Sequence, residues 1–369
     1  MKVIMISRST LYSSPGGDTM QIHMTAKHLR ELGVEVDILT AENKVQYEKY
    51  DLIHFFNIIR PDDIMRHIRK NRRYVISTVF VDYSEFDKSA RPGISGFIFR
   101  LMNPYHIEYI KCIARFILRR DTLKSFYFLT HGQYKSILHI AEHAKLLLPN
   151  SHSEYGRFRK AFGDFPYRKV VNAVDPEVFN ENVVADENYR DHILVVGRIE
   201  GIKNQLNVIR AAINSPYQLT VIGKSSLNQR SYYQTCRKVA EGHSNIHFIE
   251  EQLSHSKLAS IYKAAKVHVL ASWFETTGLV SLEAGLMGCS LVVTKKGDTE
   301  EYFRDMVYYC EPDNIDSIRN AIDKAFNAPA SDKLKTMIRQ EYNWKQAAIQ
   351  TNEAYETALS ATANVEHKV

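Results

Sequence analysis

The sequence predicts an α/β protein made of two domains with parallel sheets. Short runs rich in β-branched and aromatic residues alternate with helical stretches along almost the whole chain, a pattern typical of parallel strands covered by helices. The chain has 369 residues, which is too many for one ordinary hydrophobic core. A polar stretch without helical periodicity at residues 175–192 separates the two strand-rich halves, and we place the linker there.

The first half contains six candidate strands. They are KVIMISRS, VEVDILTA, DLIHFF, RYVISTVF, KLLLPNS and KVVNAV. Between the first two, Gly16 and Gly17 predict a tight loop, Asp18 or Thr19 can cap the following helix, and Gly33 ends it.

The second half is more regular. Its six candidate strands are HILVVGR, YQLTVIGK, NIHFIEE, KVHVLAS, SLVVTKK and MVYYCEP, and a helical segment follows each. Six strand–helix units make a complete doubly wound sheet, which binds ligands outside the carboxyl ends of its strands.

The composition excludes several classes of protein. Hydrophobic residues at 44% and charged residues at 24% are typical of a soluble globular chain, not a disordered one. No apolar run reaches the roughly 18 residues of a membrane span, and MKVIMIS at the start indicates a first strand rather than a secretory signal. Four scattered cysteines, with no histidines at ligand spacing, favour a cytoplasmic protein without structural zinc or disulfides.

Charge is distributed unevenly. Residues 1–170 hold 27 Lys and Arg against 17 Asp and Glu, a net +10, whereas the remainder holds 21 against 25, a net −4. This asymmetry indicates two domains with different partners, the alternative being a generally basic surface. We expect no nucleic-acid partner.

Residues 94–129 interrupt the α/β pattern. They are long, aromatic and basic, and Ile107, Ile110, Ile113 and Ile117 lie near helical spacing beside arginines and lysines. A basic amphipathic helix of this kind suits an anionic membrane surface. An ordinary helix with its apolar stripe in the core explains the pattern equally well.

Two glutamates in WFETTGLVSLEAGLMGC, residues 273–289, stand out by their surroundings. Glu283 lies within an apolar helical segment, where a carboxylate is costly unless it accepts hydrogen bonds from a specific partner such as the vicinal hydroxyls of a sugar. Glu275 precedes the helix, in a loop at the carboxyl edge of the sheet. Between them, the N–H groups of residues 276–279 form a helix N-terminus suited to a phosphate.

A pair of cations supports an anionic ligand. Arg198 follows Gly197 at the end of the strand HILVVGR, and Lys203 precedes Asn204 at the start of a helix. Two cations at this position suit a diphosphate. Surface Arg and Lys are common, so the motif is specific only together with residues 273–289.

With these motifs the sequence resembles glycosyltransferase family 4, retaining enzymes of the two-domain GT-B fold. The resemblance covers nearly the whole chain and is carried by Gly16-Gly17, NAVDPEVF at 172–179, GRIEGIKN at 197–204, the E-x7-E element at 275–283 and NWKQAA near 343.

The resemblance implies two doubly wound Rossmann-like domains facing across a cleft. Residues 1–170 would form an acceptor-binding domain and residues 171–345 a nucleotide-sugar-binding domain. A C-terminal helix at 346–369 would pack back on the first domain.

The resemblance also assigns roles to individual residues. Glu283 would accept hydrogen bonds from the donor's ribose, Glu275 would face the donor sugar, and Arg198 and Lys203 would stabilise the leaving diphosphate. The base would lie near Gly223 and Glu251–Leu253. The full set implied for donor binding is Gly16, Gly17, Gly197, Asn204, Gly223, Leu253, Thr276, Thr277, Gly278, Leu279 and Glu283.

The chemistry implied is a metal-independent transfer that retains the anomeric configuration. Bond cleavage separates an oxocarbenium-like sugar from a diphosphate, so positive groups at the phosphate stabilise the transition state. The sequence has no Asp-x-Asp motif for a divalent ion. The two cations and a helix dipole can replace one, and no cofactor is expected beyond the nucleotide sugar, with a UDP-sugar slightly favoured over GDP-mannose.

One position departs from the family. Many relatives carry a histidine after the fourth strand of the first domain, where this chain has Phe80, followed by Val81 and Asp82. Asp82 could take over as the polar group facing the sugar, or could be a simple loop aspartate. His106 and His131 are further candidates, each more typical of an ordinary surface or core histidine.

Several functions fit these observations. The first is transfer of a sugar to a glycan or lipid-linked acceptor, in cell-surface polysaccharide biosynthesis. The enzyme would be cytoplasmic, and could be peripheral on the inner face of the plasma membrane. The alternatives are a nucleotide-sugar 2-epimerase of the same fold and a non-catalytic nucleotide-sugar-binding protein. A dinucleotide-dependent oxidoreductase is disfavoured, because neither sheet's first turn shows G-x-G-x-x-G.

Overall fold

The chain divides into two compact units. The computed structural model describes residues 1–13, 16–68, 72–82, 85–86, 103–118, 123, 125–329 and 331–360. The first unit comprises Met1–Asn172 and Trp344–Val369, and the second comprises Ala173–Asn343.

The first unit is built on a five-stranded parallel sheet in the order β2-β1-β3-β4-β5. Its strands are β1 (Lys2–Ser7), β2 (Glu35–Thr40), β3 (Leu52–Phe56), β4 (Tyr74–Ser77) and β5 (Leu146–Leu148). Val3 and Met5 pack into one apolar cluster, and Ile4 and Ile6 into another. Because successive strand residues point to opposite faces, both faces of the sheet are buried.

The helices described in this unit before residue 172 are α1 (Gly17–Glu31), α2 (Pro61–Met65), α3 (Pro104–Ile117), α4 (Phe126–His143) and α5 (His152–Phe162). A backbone kink interrupts α4 at Gly132, which has φ 74° and ψ −173°. Glycine adopts this conformation at little cost because it lacks a Cβ.

Two of the strand predictions for this unit are corrected. The sixth predicted strand, KVVNAV at residues 169–174, forms no strand. The N–H of Val170 donates to the carbonyl oxygen of Pro149 and that of Val171 to the side chain of Gln350, so the segment is buried without a ladder. RYVISTVF is a strand only over Tyr74–Ser77, since Val79 lies in the left-handed region with φ 44°.

The C-terminal helix, Trp344–Ser360, belongs to the first unit and packs against α1. The hydroxyl of Tyr355 lies 2.7 Å from Nδ1 of His54, and Nε2 of His54 lies 2.9 Å from the hydroxyl of Ser77. Burial lowers the pKa of His54 to about 3, so its ring is neutral at physiological pH. This buried network ties the C-terminal helix to β3 and β4.

The second unit contains a six-stranded parallel sheet in the order β11-β10-β9-β6-β7-β8. Its strands are β6 (Ile193–Val196), β7 (Leu219–Ile222), β8 (Ile246–Ile249), β9 (Val267–Leu270), β10 (Ser290–Thr294) and β11 (Tyr308–Cys310). All six strands predicted for this half are confirmed. Their buried apolar runs are what a parallel sheet covered on both faces requires.

The helices described in this unit are α6 (Gln205–Ala212), α7 (Arg230–Ala240), α8 (His255–Ala264), α9 (Leu279–Leu286), α10 (Thr299–Phe303), α11 (Ile315–Asn327) and α12 (Lys333–Glu341). The predicted linker at residues 175–192 lies inside this unit. The N–H of Asp186 donates to Ser260 and that of Asp191 to Ala264, so the segment packs along α8. The boundary between the units comes earlier, after Asn172.

Candidate active site

The loop after β9 presents Glu275 at the carboxyl edge of the second sheet. Its backbone is fixed on both sides, because the N–H of Glu275 donates to Lys296 and its carbonyl oxygen accepts from Asp298. A Cβ at Gly297, which has φ 106°, would lie 1.9 Å from that carbonyl oxygen. Only glycine allows this close approach, so the position of Glu275 is set by the neighbouring loop.

Glu275 forms an ion pair with Lys203. The Lys203 Nζ donates to Oε1 of Glu275, and the side chains are 26% and 7% exposed. Lys203 ends a 3₁₀ turn, Gly201–Lys203, whose Ile202 carbonyl oxygen accepts the N–H of Trp273. The cation predicted for the phosphate and the carboxylate predicted for the sugar are therefore direct partners.

Helix α9 begins directly after this loop, with Gly278 as its N-cap. Gly278 has φ 71°, and a Cβ there would lie 2.6 Å from Cδ2 of Leu270. In the described part of the chain, the N–H groups of Gly278, Leu279 and Val280 donate no hydrogen bond. Unpaired first-turn amides and the helix dipole favour an anion at this terminus. Thr276 is half-buried and Thr277 buried beside it.

Glu283, on α9, is a buried carboxylate with an unsatisfied oxygen. Its residue is 9% exposed, and its Oε2 has no hydrogen-bond partner among the described residues. Burial raises the pKa of Glu283 to about 8. A buried acceptor without a donor is costly, so this oxygen is suited to hydroxyl groups brought by a ligand.

Buried polar groups lie in the elements next to Glu283. Tyr262 on α8 is fully buried, and the Glu283 charge adds to burial in raising the pKa of its hydroxyl. Burial lowers the pKa of His268 on β9 to about 3, and the hydroxyl of Ser281 lies 3.4 Å from its Nδ1. The sequence analysis did not identify these residues, because each lies in an ordinary-looking apolar run.

The ends of β6 and β7 form the other side of the site. A Cβ at Gly223, which has φ 151°, would lie 1.9 Å from the carbonyl oxygen of Gly197, so the two backbones approach as closely as glycine allows. Arg198 is half-exposed and its guanidinium lies 3.0 Å from Glu200. Leu253 is half-buried in the loop after β8.

Asn204, predicted to bind the donor, has a buried side chain that is hydrogen-bonded within the protein. It is 4% exposed, and its side-chain amide donates to the carbonyl oxygens of Ala271 (2.9 Å) and Pro312 (2.7 Å). Both N–H groups of this amide are therefore used within the protein. Its side chain ties three loops together and supports the turn that carries Lys203.

In the first unit, Gly16 and Gly17 begin α1. Gly16 is the N-cap, and its N–H donates to the hydroxyl of Thr19 at 3.1 Å. Asp18 is held by Arg8, whose guanidinium Nη2 lies 2.9 Å from Oδ1 of Asp18. This ion pair between the end of β1 and the start of α1 was not predicted.

Asp82 lies in the loop after β4 and is exposed. Its charge adds to burial in raising the pKa of Tyr105, on α3, to about 12. Two residues earlier, the N–H of Phe80 donates to the carboxylate of Glu154 at 2.7 Å. Glu154 also escaped the sequence analysis, although Ser151 and Glu154 have the spacing of a helix capping box.

The two candidate histidines, His106 and His131, lie on the surface of the first unit. His106 and His131 are exposed, and His131 stacks on Tyr127. We expected no histidines clustered at metal-ligand spacing, and this is wrong for one group on the surface of α4. Potential metal-ligand atoms of His139, Glu142 and His143 lie within 4.8 Å of one another.

The basic segment 94–129 is only partly described, and Arg100, Arg119, Arg120 and Lys124 lie outside the described residues. Within α3, Ile107 is buried, but Ile110 and Phe116 are about half exposed and Ile117 is 72% exposed. In the part of the chain that the structure describes, no helix is long and apolar enough to cross a membrane.

Comparison with known proteins finds that this chain is similar to glycosyltransferases. Residues 179–344 match the family model Glycosyl transferases group 1. An uncharacterized glycosyltransferase of Methanocaldococcus jannaschii is 26% identical over 211 residues, which are 52% of this chain and 54% of that protein. The chain therefore matches about half the length of this relative.

Solved structures match nearly the whole chain. Sucrose-phosphate synthase from Thermosynechococcus elongatus has a TM-score of 0.73 at 17% identity, covering 98% of this chain and 100% of that one. Anabaena HepE in complex with UDP-glucose has a TM-score of 0.71 at 14% identity, covering 97% and 100%. The chain has the GT-B type of fold, with two parallel-sheet α/β domains. The part that matches the Glycosyl transferases group 1 model, residues 179–344, lies almost wholly within the second unit.

Proposed function

We propose that the protein is a retaining, metal-independent glycosyltransferase that moves a sugar from a nucleotide diphosphate to a glycan or lipid-linked acceptor. The observation that carries the proposal is the order in which polar groups follow one another along the loop after β9 and helix α9. Glu275 precedes three N–H groups that donate to no described residue, and Glu283, whose Oε2 has no partner among the described residues, follows them on the same helix.

Each of these groups matches one part of a nucleotide sugar. Hydroxyl groups of the ribose would donate to Glu283, and the first-turn amides of α9 would bind a phosphate. Glu275 would accept from the hydroxyls of the transferred sugar. Lys203 and Arg198 would neutralise the diphosphate as it leaves, which lowers the barrier without a divalent ion. The same-face attack expected of a retaining enzyme of this kind needs no nucleophile from the protein.

A UDP-sugar is the donor that we favour. The Anabaena HepE structure was solved with UDP-glucose, which supports this choice at the level of fold. We assign Asp82, in the first unit, as the polar group that faces the sugar on the acceptor side. We assign the Gly16-Gly17 loop a role at the donor phosphate. The biological setting that we propose is cell-surface polysaccharide biosynthesis.

We also propose that α3 meets an anionic membrane surface, as a peripheral enzyme at the inner face of the plasma membrane would. The exposed apolar side chains at its C-terminal end, Ile117 (72%) and the C-cap residue Leu118 (61%), support this interpretation over a wholly core-facing helix. Arg115 on the same helix supplies positive charge, whereas Lys111 is paired with Glu108 at 2.7 Å.

The experiment is a panel of nucleotide sugars screened for binding, followed by product analysis. A bound donor raises thermal stability by mass action. NMR of the product made with an acceptor is expected to show the donor's anomeric configuration, in the presence of EDTA. A changed donor sugar without acceptor would instead identify an epimerase, and binding without turnover would identify a non-catalytic protein.

A further inference from the structure

A fully buried carboxylate joins two loops at the carboxyl edge of the first sheet. Glu154, on α5, has no exposed surface. Its Oε1 accepts hydrogen bonds from the hydroxyl of Thr78 and from the N–H of Phe80 at 2.7 Å. Its Oε2 accepts the N–H of Asn150 at 2.8 Å. Three donors from the loops after β4 and β5 thus converge on one side chain.

The two donors after β4 flank an unusual backbone conformation. Val79, between Thr78 and Phe80, has φ 44°. The left-handed region is disfavoured for a β-branched residue and persists only where surrounding contacts hold it. The carboxylate of Glu154 binds the residue on each side of Val79, so it is placed to hold this conformation, together with the backbone hydrogen bonds of Thr78 to Ile58 and Leu148.

The same helix also fixes the loop through an aromatic contact. The ring of Phe80 packs edge-on against Phe158 and Phe162 of α5, with centroid distances of 5.3 and 5.9 Å. Phe80 is therefore anchored at its backbone and at its side chain. Asp82 follows two residues later, so its position depends on these anchors.

On its other side, Glu154 is linked to the helix that begins at Gly17. Oδ1 of Asn150 accepts a hydrogen bond from Nε2 of Gln21 at 2.9 Å, and Gln21 is buried on α1. Ser151 caps α5 by accepting the backbone N–H of Glu154, which leaves the carboxylate for the loops. The network runs from α1 through Asn150 and Glu154 to the loop of Asp82.

We infer that Glu154 is a positioning residue for the acceptor side of the reaction: it holds the strained Thr78–Phe80 backbone and thereby sets the place of Asp82. The inference rests on the proposed function, which gives Asp82 its role. A carboxylate is needed because it accepts on both oxygens, whereas a glutamine offers one acceptor and one donor group. In Glu154→Gln, one of the three donors loses its partner.

The test compares steady-state kinetics of Glu154→Gln with those of Glu48→Gln, an exposed glutamate of the same unit. We expect Glu154→Gln to lower kcat/KM for the acceptor by about 10- to 100-fold, since small misplacements of reacting groups cost this much. The KM for the nucleotide sugar should stay within about two-fold, because Glu275, Glu283 and the first turn of α9, which carry the proposed donor site, lie in the second unit. Glu48→Gln should match the wild type.

A rescue variant separates positioning from general loss of structure. Glycine adopts positive φ readily, so Val79→Gly removes the strain that Glu154 holds. Adding Val79→Gly to Glu154→Gln is expected to recover most of the acceptor kcat/KM. Unchanged acceptor kinetics in Glu154→Gln, equal losses for donor and acceptor, or no recovery in the double variant would each overturn the inference.

Hydrogen exchange at the Phe80 amide gives a readout independent of turnover. Its protection should fall in Glu154→Gln and return in the double variant, and equal exchange in all three proteins would overturn the inference. If the wild type binds no nucleotide sugar or transfers none, the proposed function fails. The exchange result still decides whether Glu154 holds the loop.

Discussion

The ammonium group of Lys203 and the carboxylate of Glu275 form an ion pair that is largely buried, although the two residues lie 72 positions apart in the chain. Each has a proposed role toward a different part of the donor, the diphosphate for Lys203 and the sugar for Glu275. The pair therefore couples the two halves of the site. An arriving diphosphate would compete with Glu275 for Lys203 and so release the carboxylate toward the sugar.

Breaking this ion pair from one side should destabilise the fold more than removing both charges. Lys203→Met leaves Glu275 buried without its cation, and we expect a loss of about 3 kcal/mol in the free energy of unfolding. The double variant Lys203→Met/Glu275→Gln should lose less than Lys203→Met alone, and therefore less than the sum of the single variants. Urea unfolding of the four proteins measures the coupling, and additive losses would contradict it.

Lys203 and Glu275 should also have separate effects on catalysis. Lys203→Ala is expected to cost on the order of 2 kcal/mol or more at the transition state, because the leaving diphosphate loses a cation. Glu275→Gln should abolish transfer while keeping the side chain's shape. Lys238→Ala, an exposed lysine of the same unit, is the matched control. Wild-type turnover in either site variant would remove that residue from the site.

Glu283 predicts a dependence of stability on pH. Burial raises its pKa to about 8, so between the ordinary value of 4.5 and about 8 the folded protein keeps a proton that the unfolded chain releases. The wild type should therefore lose stability as pH rises through this window, by up to about 1.4 kcal/mol per pH unit relative to Glu283→Gln. If the free energy of unfolding depends on pH in the same way for the wild type and for Glu283→Gln, the raised pKa of Glu283 is refuted.

Donor binding should respond to pH in the opposite direction. Hydroxyl groups donate more strongly to an ionised carboxylate, so affinity for a nucleotide sugar should rise as pH increases toward about 8 and then level off. Calorimetric titrations across this range measure the effect. In Glu283→Gln the affinity should be weaker and should lack the rise.

The strands of the second unit could be predicted because a parallel sheet buried on both faces leaves continuous apolar runs such as HILVVGR. Glu283 could be identified because a carboxylate in such surroundings needs a partner. KVVNAV was misassigned because its valines are buried although the segment forms only an isolated bridge, at Val174, and no strand. The Lys203–Glu275 pair and the loops joined by Glu154 depend on contacts between distant segments, which local patterns do not report.

Gly223 and Gly197 provide a matched test of backbone geometry. Both have positive φ, but a Cβ at Gly223 would overlap the carbonyl oxygen of Gly197, whereas a Cβ at Gly197 would meet nothing within 4 Å. Gly197→Ala should cost about 1 kcal/mol of stability through backbone strain alone. Gly223→Ala should cost clearly more and should weaken donor binding, because the ends of β6 and β7 must separate. Equal unfolding midpoints would contradict this geometry.

Membrane association can be tested on the exposed face of α3. We expect Ile117→Ser/Leu118→Ser to lower partitioning onto vesicles with anionic lipid by about ten-fold, because two largely exposed apolar side chains no longer insert. Neutralising Arg115, Arg119 and Arg120 should weaken binding further, and added salt should have the same effect on the wild type. Val184→Ser, at an 82% exposed valine of the second unit, is the control. Equal sedimentation of all variants with the vesicles would show that α3 does not meet the membrane.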